Sequence, residues 1–167
     1  MKLTKLLILS IALFSKGVLA IEIADFKFGL VCPNAKASVG WVCHEAKDIQ
    51  ITGQGKCVFD GKNLPCTWYG FSFHYSDAKT GDAIQCAYTT SQPVVMGNPT
   101  GVTGKETNSG KYELTIPEGS GTFFNPQYSV FVVEKRGGEN RQDHTECSVD
   151  GKPVFSFDAN LIYPNEQ

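Results

Sequence analysis

No two cysteines stand in a CxxC pair, no GxSxG elbow occurs, and no Asn-x-Ser/Thr acceptor is complete. Each absence removes a class of protein. Without CxxC, and with wide irregular cysteine spacings, a structural zinc site is not expected. Without GxSxG, the strand-to-helix turn that presents a hydrolase serine is missing. Asn98 is followed by Pro99, so the nearest approach to a glycosylation acceptor fails, and a bacterial source stays open. Beyond the N-terminal run, no stretch is long and apolar enough to span a bilayer as a helix. No window repeats its apolar residues with helical period over a useful length.

What is present begins with an export signal. Met1 to Lys5 is basic, Leu6 to Phe14 is apolar, and Val18-Leu19-Ala20 sets small or apolar residues before a cleavage point. Residues 1–20 are therefore expected to be a signal peptide, and 21–167 a single mature domain, secreted, or periplasmic in a bacterium. Position 21 is Ile21 and not a cysteine, so no lipoprotein anchor is expected. The first twenty residues hold Lys2, Lys5 and Lys16 and no acid; removing them leaves twelve basic residues against seventeen acidic, a charge of about −5. Such a surface repels phosphates, which argues against nucleic acid and against anionic membranes as partners.

All six cysteines lie in the mature part. An even count behind a signal peptide reads as three disulfides. Six cysteines allow fifteen pairings; the expectation is neighbour pairing, Cys32–Cys43, Cys57–Cys66 and Cys86–Cys147.

Apolar residues alternate with polar ones throughout. In "TWYGFSFHYS", Tyr69, Phe71, Phe73 and Tyr75 share one face, and Trp68, Gly70, Ser72, His74 and Ser76 the other. "AIQCAYTT" turns Ile84, Cys86 and Tyr88 inward, and the polar "DAKTGD" between the two strands reads as a hairpin turn. "KYELTIP" sets Tyr112, Leu114 and Ile116 on one side. "QYSVFVVEK" reads as a central strand, with Tyr128, Val130 and Val132 opposite Phe131 and Val133. Further strands are expected in "IADFKFGL", "VGWVC", "DIQITG" and around Val154–Phe157. The fold class is all-β, an antiparallel sandwich or a barrel-like Greek key with disulfides. Ser91 to Gly110, rich in Gly, Pro, Thr and Asn, reads as a long loop, either functional or a surface excursion with a short irregular strand around Pro93–Met96. "CVFDGK" and "CSVDGK" repeat a pattern at 57 and 147. Asp-Gly favours two-residue hairpins, and one Asp and one Lys per turn are too few ligands for calcium.

Catalytic patterns come close and fail on a needed residue. His44-Glu45 begins HExxH, but Asp48 stands where the second histidine belongs. "PTGVTGKE" has Pro99 for the first P-loop glycine and Glu106 for the Ser/Thr. "SDAK" at Ser76–Lys79 has the SxxK spacing without companion motifs. His44, His74 and His144 are scattered, and no metal or cofactor is expected. A pair of carboxylates from Asp48, Asp60, Asp77, Asp82, Glu113 and Glu134 would serve a glycosidase only if folding brought two together. Trp41 and Trp68 lie off the core face or pack on a loop or disulfide; exposed, they would stack on sugar rings or anchor a protein.

The signal peptide, short acidic all-β body and stapled stretch "VCHEAKDIQITGQGKCVFDGKNLPCTWYGF" resemble small secreted, disulfide-stapled microbial proteins, effector-like proteins of filamentous fungi among them. The lack of a complete catalytic constellation, together with the long 91–110 loop, points to a non-catalytic protein acting outside the cell on a host or cell-wall molecule through loops and exposed aromatics, with an extracellular protein or carbohydrate as partner. The candidate binding residues are Trp41, Trp68, His74, Lys62, Leu64, Asn98 and Lys105. The alternatives are a secreted glycosidase-like hydrolase, or an inhibitor presenting the Cys57–Cys66 loop to another secreted protein.

Overall fold

The computed structural model describes residues 21–32, 41–97, 103–131 and 140–164. The expected signal peptide, Asn98, and Val132 and Val133 of the expected central strand lie outside them. Among the described residues, ten strands form two sheets. The first contains β1 (Glu22–Cys32), β2 (Trp41–Glu45), β4 (Gly55–Phe59), β5 (Lys62–Ala78) and β8 (Gly119–Val130). The second runs β3 (Asp48–Gln50), β10 (Lys152–Ile162), β9 (Arg141–Val149), β6 (Ala83–Gly97) and β7 (Thr103–Thr115). Every pairing is antiparallel except β3 with β10. No ladder among the described residues joins the sheets, so the sandwich alternative holds and the barrel does not.

The alternation in β5 does what its pattern dictates. Tyr69, Phe71, Phe73 and Tyr75 are buried, while His74 is exposed. Phe71, fully buried, meets Phe26, Phe73, Phe155 and Phe157 at ring-centroid distances of 5.8, 6.3, 5.8 and 5.3 Å. Phe155 and Phe157 come from β10, so this aromatic cluster fastens one sheet to the other. Ile49, Ile84, Leu114 and Leu161 complete the core from the second sheet.

The three disulfides pair as expected, with Cα–Cα separations of 5.7 Å (Cys32–Cys43), 5.9 Å (Cys57–Cys66) and 4.1 Å (Cys86–Cys147). Each closes a pair of adjacent strands; Cys86 and Cys147 stand directly opposite one another in the β6–β9 ladder. Both Asp-Gly turns are hairpins with positive φ at both central residues: Asp60 and Gly61 at 50° and 69°, Asp150 and Gly151 at 49° and 75°.

Three expectations are corrected. β5 and β6 do not form a hairpin: "DAKTGD" carries the chain from one sheet to the other, with β5 pairing β1, β4 and β8, and β6 pairing β7 and β9. A polar turn says that the chain reverses but not whether the strands meet edge to edge or face to face. The long loop is instead mostly ladder, since β6 runs to Gly97 and β7 starts at Thr103, with irregularities between Thr89 and Val94 and between Val95 and Gly97. Polar composition here marks an edge strand that faces water on both sides. Finally, β8 ends at Val130 and pairs only β5 among the described residues, so it lies at an edge and not in the centre.

Candidate functional site

Two outward surfaces carry chemistry. The first lies where β4, β5 and β8 meet. Cys66 pairs Gly55 on one side and Val130 on the other, so β4 and β8 flank β5 on opposite edges. Trp68 and Tyr128 are directly opposite in the β5–β8 ladder and share its outer face, their rings edge to face at 5.1 Å and 62°. The Tyr128 hydroxyl donates to the Val58 carbonyl at 2.7 Å. Gly55 makes room for the indole: a Cβ there would lie 2.8 Å from the Trp68 ring. Both rings are half-buried and held, while Val58, on the neighbouring stapled hairpin, is 44% exposed. Lys62 is exposed and Leu64 half-buried on the same hairpin. The fold thus brings Trp68, Lys62 and Leu64 into one corner and adds Val58 and Tyr128.

His74 stands farther along the outer face of β5, exposed, with Nδ1 3.1 Å from Asp25 Oδ2. Asp25 reaches it from a bulge in β1, where its φ is 51°. Trp41 opens β2 and is 44% exposed. Lys105 is exposed on β7, in the other sheet. Sequence reading missed Tyr128, which it placed in a central strand without a role; the rule that opposed residues share a face finds it once the β5–β8 pairing is known.

The second surface is the outer face of the second sheet. Thr89, His144 and Asp158 form one cross-strand row over β6, β9 and β10. His144 Nδ1 lies 2.6 Å from Asp158 Oδ1, and Nε2 lies 3.3 Å from Glu146 Oε1. Lys47 Nζ is 3.9 Å from the other Asp158 oxygen. Hydrogen bonds donated to Asp158 and then to Glu146 raise the His144 pKa above its ordinary value, and the bond from His144 lowers that of Asp158. The row has the residue types of a hydroxyl–His–Asp triad, but Glu146 occupies the ring nitrogen that would take the Thr89 proton. As arranged, it is an ion-pair clamp. Among the described residues, no three His, Cys, Asp or Glu side chains are placed to share a metal ion. Of the carboxylates considered for a glycosidase pair, Asp60 makes a turn, Asp82 accepts from the Lys79 backbone N–H at 2.8 Å, and Asp48 accepts from Asn160 at 2.7 Å.

Between the sheets, Arg141 is buried, with Nε and Nη2 donating to Asp143 at 3.1 and 2.7 Å. Tyr69 from the first sheet lies against this guanidinium, and burial pushes its phenol well up. Beside it the Ser129 and Tyr163 hydroxyls bond at 2.7 Å.

No family model matches the chain, and no curated protein matches it. Among solved structures it is similar to an immunoglobulin-like protein from Pseudomonas aeruginosa. The likeness has a TM-score of 0.53 at 11% identity, covering 87% of this chain and 98% of that one. At that identity the likeness shows the fold alone: an immunoglobulin-like sandwich.

Proposed function

We propose that this is an exported, non-catalytic binding protein that holds a host or cell-wall glycan against the aromatic corner of its first sheet. Three disulfides fit an oxidising compartment outside the cytoplasm, and the N-terminal segment supplies the export signal. The observation that carries the reading is the Trp68–Tyr128 pair, fixed by Gly55 beneath the indole and by the Val58 carbonyl on the phenol. Rings fixed before binding lose little freedom on contact, and tyrosine and tryptophan add broad apolar faces with polar tips. The test is retention on insoluble cell-wall polysaccharides and on a glycan array, for wild type and for Trp68→Ala. Wild-type retention that drops about two- to tenfold in the variant supports the reading, a stacked aromatic being worth ~0.5–1.5 kcal/mol. No retention on any glycan, or equal retention by both proteins, sinks it.

A second reading rests on Val58, an apolar side chain exposed on a stapled hairpin. There the hairpin with Lys62 and Leu64 presses on another secreted protein, an inhibitor's geometry. Val58→Asp abolishing inhibition of a secreted enzyme, with glycan retention unchanged, would favour it over the first.

A further inference from the structure

The outer face of the second sheet holds a shallow, open depression of about 550 Å³, on the side of the sandwich away from the aromatic corner. Lys47, Thr89, Gln142, His144, Asp158 and Asn160 line it. The set mixes hydroxyl, amide, ammonium and carboxylate groups, so donors and acceptors alternate around one floor. Several of these groups are already fixed. Asn160 donates to Asp48 at 2.7 Å, Ser91 Oγ accepts from the Gln142 backbone N–H at 2.9 Å, and Asp158 is held by His144 at 2.6 Å.

The charges nearly balance. Asp158 on β10, Glu146 and Asp143 on β9 and Asp48 on β3 meet His144 and Lys47, with Asp143 itself paired to the Arg141 guanidinium, while β6 contributes the uncharged Thr89. A strongly charged ligand would meet both signs. A neutral ligand with several hydroxyls would find a partner for each, as donor or as acceptor.

The clamp adds a condition. Only the imidazolium donates from both ring nitrogens; the neutral ring has one N–H and must release either Asp158 or Glu146. Asp158 lines the depression and Glu146 does not; the 2.6 Å bond to Asp158 persists on a neutral ring but loses its charge assistance, so losing the proton loosens the rim against which a ligand packs.

We propose that this depression is a second binding site, separate from the aromatic corner, for a neutral polyhydroxylated ligand the size of one sugar unit, and that it binds best while His144 is protonated. The ligand chemistry is shared by a free sugar and by one residue of a longer glycan.

The test is amide chemical-shift mapping of the purified protein with glucose, mannose, galactose and N-acetylglucosamine, and with their linear tetramers, at about pH 5.5 and about pH 8.5. Saturable shifts confined to Thr89, Gln142, His144, Asp158 and Asn160 are expected, weaker at the higher pH. Response to the monomers identifies a free sugar as sufficient, and response to the tetramers alone identifies a glycan residue; either supports the site. Thr89→Val and Gln142→Ala should each weaken binding about three- to tenfold, the loss of one hydrogen bond. His144→Gln should remove the pH difference. Trp68→Ala should change nothing here, which separates this site from the aromatic corner. No saturable shift at these residues with any sugar, shifts indifferent to Thr89→Val and Gln142→Ala, or wild-type binding equal at both pH values would overturn it.

Discussion

Single side chains divide into those whose neighbours are legible and those whose neighbours are not. Phe71 belongs to the first group, because alternation alone sends it inward. Phe71→Ala removes the centre of a five-ring cluster and should cost about 3–5 kcal/mol, read as a shift in urea midpoint. Arg141 belongs to the second. It lies inside the charged stretch "KRGGENRQDH" (135–144), yet it is buried between the sheets with Asp143 and Tyr69. Arg141→Ala would leave the Asp143 carboxylate without its cation and should destabilise by roughly 3–5 kcal/mol; Arg141→Ala and Asp143→Ala together should cost less than the sum of the two separately, which a double-mutant cycle measures. His144 sets a pH effect whose sign follows from its raised pKa. The ion pairs are fully present below the ordinary histidine value of about 6.5 and are lost as pH rises through the raised folded value. An NMR titration should place the His144 midpoint above that of free histidine, and Asp158→Asn should lower it.

Among the elements, the two Asp-Gly hairpins were read correctly because a two-residue turn needs positive φ at both positions and few residue pairs supply it. No atom comes within 4 Å of a Cβ built on Gly61 or Gly151, so the cost of a side chain there is backbone strain alone. Gly61→Ala and Gly151→Ala should each destabilise by about 1–2 kcal/mol, measurable by thermal melts, without loss of the adjacent disulfide. The His144–Asp158 pairing shows why cross-strand partners stayed hidden. Counting outward from the second turn sets Val149 opposite Lys152, but an irregularity between Pro153 and Phe155 shifts every later pair by one. His144 then faces Asp158 and not Phe157. A bulge moves half a strand to new partners, and its own signal in sequence is faint. The β5–β6 turn failed for a related reason: its polar residues are the same whether the next strand joins its own sheet or crosses to the other.

Across the whole molecule, the disulfides supply a second layer of cohesion. Cys86–Cys147 closes a separation of 61 residues and should contribute about 4 kcal/mol in a chain-entropy treatment, against roughly 3 kcal/mol for Cys57–Cys66 across 9. Replacing Cys86 and Cys147 together by Ala should therefore lower the melting temperature more than replacing Cys57 and Cys66, and reduction of all three bridges should lower it most. Differential scanning calorimetry with and without reductant checks the order. The sequence by itself determined the all-β class, the inward aromatic face of β5 and both Asp-Gly hairpins. These rest on local rules: a period of two and a demand for positive φ. Only the tertiary structure decided which strands share a sheet, that Tyr128 faces Trp68, that Arg141 goes inside, and that His144 sits between two carboxylates. These depend on register and crossover, which are set by how two faces pack and not by any one segment's pattern.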